Sequence, residues 1–416
     1  MDWASQCFLN SLRCAIQGVP LDQEPNLSYQ EWDTVFRIAG IHHVLPMVFE
    51  AVHGLPELRN YPPLPVLKRN VFHQVMIQTQ KTAEFLALNR ALSEAGVQPL
   101  VVKGIICREL YPKPDHRISS DEDLLIDPSQ AELCHGVFEA YGLSTSTQED
   151  LRESAYEIPY RREGGSLYIE LHRYLFPPES ASYGDLNRFF RKAPSRAVCH
   201  RIAGTDVYSL NHTDHLFYLI CHAFKHFLHS GFGIRQVCDI ILYATAYGTQ
   251  IQWNQLAKNC HQIRALHFAA AIFRIGQKHL GFDPGKADMP SIWLDISLDE
   301  GPMLEDLLQS GVYGGSTINR KRSSNITLEA VAAQKQGRSA HSGLAASLFP
   351  GVRSMKGRYP YLNDHPWLLP AAWVTRMGSY CKDALTSKNT DAALSLELGK
   401  QRLELLQQYH ILDRKK

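Results

Sequence analysis

Two aspartates separated by one residue stand in the segment Ser119-Ser120-Asp121-Glu122-Asp123-Leu124-Leu125-Ile126. On an extended strand alternate side chains share a face, so Asp121 and Asp123 point one way and Glu122 the other. Like charges held this close repel and raise each other's proton affinity unless a cation sits between them, which suggests a divalent metal. An all-oxygen donor set favours magnesium or manganese. A third carboxylate, Glu170, lies in Leu167-Tyr168-Ile169-Glu170-Leu171-His172, where Ile169 and Leu171 would face the core and Glu170 the opposite side. If the two strands are neighbours, three carboxylates converge, enough to hold the two ions used in in-line phosphoryl or nucleotidyl transfer. Ahead of them, Lys103-Gly104 adds an anion-binding element. A glycine at a strand-to-helix turn lets backbone N–H groups approach an anion, and a helix N-terminus with an ammonium suits a triphosphate.

The elements that must carry these residues can be read from pattern. Val97 to Val102 is a short β-branched run, followed by the Lys103-Gly104 turn and a helix ending before Tyr111-Pro112. Arg117 to Ile126 reads as a strand, and Pro128 to Tyr141 as a helix closed by Gly142. Ala155 to Arg161 and Leu167 to Leu175 read as a hairpin turning at Glu163-Gly164-Gly165. Before them, Val71, Val75, Ile77, Phe85, Leu88 and Leu92 recur at helical intervals, giving one long helix from Pro65 to Gly96. Residues 1–64 read as short helical pieces, and from His212 onward helices dominate, with Thr213 as a cap, Ile234 to Tyr247, and Trp253 to Leu280. The expected class is α+β: a helical N-terminal cap (1–64), a core with a small mixed β-sheet (65–210) and a mostly helical C-terminal region (211–416).

Length and composition narrow the function classes. The chain has 416 residues, enough for two or three units with a sizeable core. Forty-three Lys and Arg against 42 Asp and Glu leave a net charge of +1, so phosphate binding must come from a local site, and long nucleic acid is disfavoured. No apolar run is long enough to span a membrane, and Met1-Asp2-Trp3 lacks the basic start of a secretion signal. Nine cysteines without a Cys-x-x-Cys pair fit reduced thiols. A cytoplasmic location is expected. Gly231-Phe232-Gly233 has Gln236 where a dinucleotide fingerprint needs glycine, and neither a Gly-Lys-Ser/Thr loop nor a Gly-x-Ser-x-Gly elbow occurs.

A second cluster invites a different chemistry. His212, His215, His222, His226 and His229, with Asp214 and Asp239, include pairs at helical spacing that could bind a transition metal in a phosphohydrolase. Against this stands the absence of a His-Asp dipeptide or His-Glu-x-x-His motif, which leaves histidines satisfied by hydrogen bonds at a domain interface. An intermediate reading has His226, Arg235 and Asp239 as a polar network facing the catalytic cleft. Gly311 to Asn325, with Arg320-Lys321-Arg322, reads as a loop. Gly314-Gly315-Ser316 within it imitates a phosphate-binding motif but has no Asp-x-Asp downstream.

Strand, Lys103-Gly104, helix, then Arg117 and Ser-Asp-x-Asp-Leu-Leu, then a strand with a third acid, resembles the DNA polymerase beta type nucleotidyltransferase superfamily. Within it the chain is similar to an uncharacterised bacterial nucleotidyltransferase family, through Lys103-Gly104, Arg117, Ser120-Asp121, Asp123-Leu124 and Glu170-Leu171-His172. Leu348-Phe349-Pro350 and the Trp367 to Arg376 helix add to the likeness. The resemblance implies that an acceptor oxygen attacks the α-phosphate of a nucleoside triphosphate and pyrophosphate leaves. It implies Asp121, Asp123 and Glu170 as metal ligands for Mg2+ or Mn2+, Glu170 also helping to deprotonate the acceptor. Lys103, Gly104 and Ser120 would hold the triphosphate, Arg117 would brace a phosphate or an acidic ligand, and His172 is a possible accessory. Where the superfamily commonly has Gly-Ser, this chain has Lys103-Gly104, so a catalytically inactive nucleotide-binding module is an alternative. The acceptor, a small molecule or a protein, is open, as are base preference and oligomeric state.

Overall fold

The computed structural model describes residues 1–22, 25–145, 156–229, 231–310, 318–337, 351–356, 359–375, 378 and 392–413. The N-terminal pieces form three helices, α1 (Trp3–Gln17), α2 (Tyr29–Ile41) and α3 (Leu45–Val52). Each begins where local chemistry directs it: Asp2 accepts from the Ser5 N–H, Ser28 and Glu31 form a capping box, and Pro46 occupies the first turn of α3. The long helix is α4 (Leu64–Glu94).

The sheet has four strands, β1 (Leu100–Val102), β2 (Glu122–Leu125), β3 (Glu157–Arg161) and β4 (Tyr168–His172), in the order β1-β2-β4-β3. Strands β2 and β4 run parallel and the other pairs antiparallel, so the sheet is small and mixed as the pattern implied. Helix α5 (Gly104–Arg108) follows β1, and α6 (Ala131–Ala140) lies between β2 and β3. The hairpin is present, although Ala155 lies outside the described residues.

Strand β2 is shorter than the sequence suggests, because residues 117–121 leave the sheet. Side chains replace the ladder there: the Ser119 N–H donates to Gln78 Oε1 at 2.8 Å, and Lys81 Nζ donates to the carbonyls of Ser119 and Ser120 at 2.6 and 2.8 Å. A second hairpin, β5 (Val198–Ile202) and β6 (Thr205–Ser209), was not evident in the sequence; it turns at Ala203-Gly204, both with positive φ.

The helical region begins with α7 (His212–His229) and α8 (Ile234–Tyr247). The cap of α7 is Asn211, whose Oδ1 accepts from the Asp214 N–H, while Thr213 Oγ1 accepts from the Gln252 N–H instead. The expected single helix from Trp253 is two, α9 (Trp253–Gln262) and α10 (Leu266–His279), broken at Arg264 with its positive φ. Next come α11 (Gly301–Ser310) and α12 (Ile318–Lys335), so the second half of the expected 311–325 loop is helix, while Gly311 to Thr317, with Gly314-Gly315-Ser316, lies outside the described residues. Leu348-Phe349-Pro350 and Arg376 also lie outside them; 369–375 are helical. A last helix, Ala392–Gln408, packs on α12. One apolar cluster joins Phe8 of α1, Phe85 of α4, Ile169 of β4, Phe217 of α7, Phe268 of α10 and Leu406 of the last helix.

Candidate active site

The register of the sheet places the acids. Asp123 pairs with Val102 on one side and with Glu170 on the other, so the carboxylate-bearing residues of β2 and β4 stand side by side in one row. Asp121 stands just before β2, and all three acids line one cavity of about 200 Å³. Their neighbours Leu124, Ile169 and Leu171 are fully buried on the opposite face. The alternation read from the sequence therefore holds.

Glu122 illustrates the other side of the strand. Its carboxylate pairs with Arg108 and accepts from the Ile105 N–H at 2.8 Å, and both residues are about 1% exposed or less. A Cβ on Gly104 would lie 1.9 Å from Glu122 Oε2, and Gly104 has φ +37°, so glycine is required there twice over. The N-terminus of α5 thus receives an anion, but the anion is Glu122 and not a phosphate. The Lys103 N–H is likewise committed, to His215 Nε2 at 3.2 Å. Lys103 and Gly104 both line the cavity; of the two, the Lys103 side chain is what reaches an acid.

The segment leading into β2 is held from both sides. Gln78 and Lys81 of α4 fix the backbone at 119–120 as described, and from α8 Arg235 donates to the Ile118 carbonyl. Asp239, one turn on, receives Arg117 bidentately at 2.7 and 2.6 Å and the Tyr111 hydroxyl at 2.7 Å. Arg117, expected to brace a phosphate or an acidic ligand, has an acidic partner within the protein. Its ammonium-like charge persists despite burial because Asp239 offsets it, and Asp239 in turn is held below the usual carboxylate range. Ser120 is exposed and donates to Asp121 Oδ1 at 3.1 Å; Ser119, its neighbour, lines the cavity. Gln78 and Lys81 are buried polar residues on one face of an amphipathic helix, spaced three apart, and that is the signal by which they could have been found.

At the centre lies a charge network. Lys103 Nζ is 2.8 Å from Asp123 Oδ2, and His172 Nε2 is 3.0 Å from Asp123 Oδ1 and 3.6 Å from Glu170 Oε2. Burial disfavours every charge here, but for Lys103, Asp123 and His172 the pairs outweigh it. Lys103 and His172 hold the Asp123 carboxyl well below its usual range, and hydrogen bonds to Asp123 and Glu170 hold His172 up at about 9. Burial, with the neighbouring Asp123 and Asp121 charges, raises Glu170.

Among the described residues, the group that brings three metal-ligating atoms within 4.8 Å of one another is Asp123, Glu170 and His172. Asp121, expected in the metal set, lies beside that triangle on the same cavity. Asp123 Oδ2 is buried, and its ion pair with Lys103 is not a directed hydrogen bond. Adjacent carboxylates with such an oxygen fit a divalent cation.

The histidines of α7 do not converge on a metal. His215 accepts from the Lys103 N–H, His212 stacks on Tyr247, and His229 Nε2 meets the Tyr183 hydroxyl at 2.8 Å. His222 and His226 do face the cavity, their Nε2 atoms 3.3 Å apart, with His222 Nε2 also 3.2 Å from Lys103 Nζ. Burial and then the nearby lysines, Lys103 for His222 and Lys225 for His226, push both well below the usual histidine range, so they stand neutral. His226, Arg235 and Asp239 all line the cavity. The sequence reading did not single out Lys225, Tyr218 and Gln236 of the helical wall, or Tyr156 and Glu157 of the sheet side.

The fold and site thus define a mixed-sheet protein with paired acids at one cavity. Residues 28–281, more than half of the chain, match the family described as uncharacterised nucleotidyltransferase, and the chain belongs to that family. Membership implies nucleotidyl transfer and a nucleoside triphosphate substrate. No curated protein and no solved structure matches the chain. No helix among the described residues is long and apolar enough to cross a membrane.

Proposed function

We propose that the chain is a polymerase-beta-type nucleotidyltransferase that moves a nucleoside monophosphate from a nucleoside triphosphate to a small-molecule or protein acceptor. The observation that carries this reading is the register pair Asp123 and Glu170, side by side on parallel strands and facing, with Asp121, one cavity that also holds Lys103. Asp121, Asp123 and Glu170 would hold Mg2+ or Mn2+, which when bound supplies Lewis-acid stabilisation of charge on the transferring phosphoryl group. In the reaction the acceptor oxygen bonds to the α-phosphorus, the α–β bridging P–O bond breaks, and pyrophosphate departs with its electron pair. Glu170, with its raised proton affinity, takes the acceptor's proton. Lys103 exchanges Asp123 for a phosphate oxygen as charge moves through the site. The helical cap and C-terminal region flank the core, and α7 and α8 line the cavity together with the sheet.

The test is pyrophosphate release from each of the four nucleoside triphosphates with Mg2+ or Mn2+, a cell extract supplying acceptor. Wild type should release pyrophosphate and the Asp121→Asn/Asp123→Asn variant should lose the activity by about two orders of magnitude or more. Nucleotide binding with no release from any of the four would overturn transfer in favour of a binding module. The histidine phosphohydrolase alternative is weaker: His212, His215 and His229 face other partners, and His222 and His226, although 3.3 Å apart on the cavity, do not belong to the group of three converging ligands found among the described residues.

A further inference from the structure

We propose that Lys81, with Gln78 beside it on α4, is a positioning residue that sets where Asp121 stands and through it the affinity of the acids for a divalent cation, an inference that rests on the metal-dependent transfer proposed above. Asp121 is the one acid of the three that the sheet does not place. The pairing of β2 begins at Glu122, opposite Ile169, so Asp123 and Glu170 are fixed by the ladder and Asp121 stands outside it. Neither Lys81 nor Gln78 lines the cavity, so any effect of theirs on chemistry must pass through a residue that does.

Peptide planarity carries the effect. Each carbonyl and the N–H that follows it lie in one rigid unit with the two flanking Cα atoms. Lys81 Nζ donates to the Ser120 carbonyl at 2.8 Å, and that unit holds the N and Cα of Asp121. Its bond to the Ser119 carbonyl, at 2.6 Å, holds the unit before, and the Ser119 N–H on Gln78 Oε1, at 2.8 Å, holds the one before that. The same last unit is taken from the opposite side by Arg235 of α8, through the Ile118 carbonyl. Three successive peptide planes are thus pinned by side chains, and β2 holds the chain beyond Asp121. The anchor is firm: α4 sets Phe85, Leu88 and Leu92 into the main core, and Lys81 and Gln78 are 4% and 1% exposed. Burial lowers the proton affinity of Lys81, while the charges of Glu122 and Asp121 act to keep its ammonium. A side chain without donors at this position leaves two carbonyls to seek other partners, and the planes they belong to are free to turn.

The experiment measures Mn2+ affinity of the folded full chain, from the electron paramagnetic resonance signal of the free ion, in wild type, Lys81→Met, Asp121→Asn and the double variant. Lys81→Met should weaken Mn2+ binding by about tenfold or more, the usual cost of losing a group that orients a metal ligand. On the Asp121→Asn background it should add less than about twofold, because the residue it acts through is already gone. The sign is informative: removing a cation near the acids would by charge alone tighten Mn2+ binding, so weakening reports position. Equal or tighter binding in Lys81→Met, or losses that multiply in the double variant, overturns the proposal. A role confined to folding lowers the urea midpoint and leaves the affinity of the folded chain unmoved, which is the same overturning result. If Lys81→Met does not fold, Gln78→Leu decides: it exchanges one neutral side chain for another and should weaken Mn2+ binding by about threefold or more, and unchanged affinity overturns the proposal. Wild type that binds no Mn2+ overturns this proposal and metal-dependent transfer together. Wild type that binds Mn2+ and releases pyrophosphate, beside a Lys81→Met of unchanged affinity, leaves transfer standing and removes the positioning role alone.

Discussion

Glu122 and Asp123 are adjacent in the chain and face opposite sides of one strand: Glu122 is locked to Arg108 beneath the sheet, and Asp123 faces the cavity between Lys103 and His172. One carboxylate is structural and its neighbour is placed for chemistry, and this division yields the first prediction. Glu122→Gln leaves the buried Arg108 uncompensated and should lower unfolding free energy by about 3–5 kcal/mol. Asp121→Asn, on a partly exposed residue, should change it by less than about 1 kcal/mol while abolishing pyrophosphate release. Urea unfolding of the two variants, read beside their activities, checks the contrast; equal stability losses would contradict it.

Gly104→Ala should be among the most damaging single-methyl changes in the chain. The added carbon would meet a carboxylate oxygen at 1.9 Å, on a residue whose backbone lies in the left-handed region. Moving Glu122 to make room breaks its contacts to Arg108 and Ile105, so a loss of about 3 kcal/mol or more is expected. Thermal melting monitored by circular dichroism provides the measurement, and a melting temperature equal to wild type would be incompatible with this packing.

The metal-free protein should lose stability between pH 6.5 and about 9. His172 is held at about 9 in the folded chain, above its ordinary 6.5, so its contribution is fully present below pH 6.5 and disappears as pH rises through 9. The full effect is about 3 kcal/mol. Neutral histidines act in the opposite direction: buried His42 and half-buried His200 and His229 lie at about 4, so stability also falls as pH drops from 6.5 toward 4. His172→Gln should flatten the alkaline limb alone, as measured by urea midpoints across pH in EDTA.

Magnesium or manganese should stabilise the wild-type fold and leave Asp121→Asn/Asp123→Asn unmoved. Binding to the native state at a hundredfold excess over Kd adds about 2.7 kcal/mol. A melting scan with and without the ion checks this, and an equal shift in the double variant would move the ion to another site.

The Arg117–Asp239 clamp joins the lead-in of β2 to α8, and removing either partner leaves a buried charge. Arg117→Met and Asp239→Leu should each cost about 3–5 kcal/mol, and together less than their sum. A double-mutant cycle in urea measures the coupling; strict additivity would show that the two residues do not act as a pair.

Local alternation determined much of this protein from sequence alone. A period of two placed Asp123 away from Glu122, and Glu170 away from Ile169 and Leu171, because strand side chains alternate whatever the partner strand, whereas Asp121 stands just before β2. Helix α4, the sheet strands and the hairpin at Glu163-Gly164-Gly165 were legible for a like reason: their signals lie within a few residues. The tertiary structure decided which groups meet. Nothing local reveals that β4 lies parallel to β2 with Glu170 against Asp123, that Arg117 finds Asp239 on α8, or that Glu122 takes the end of α5 where a phosphate was expected. Those partners are distant in sequence, and burial selects among them, since a charge withdrawn from water must find its opposite wherever the fold brings one near. Lys225 escaped notice for the same reason: on its own helix it is one more lysine, and only the sheet packed opposite makes it part of a wall.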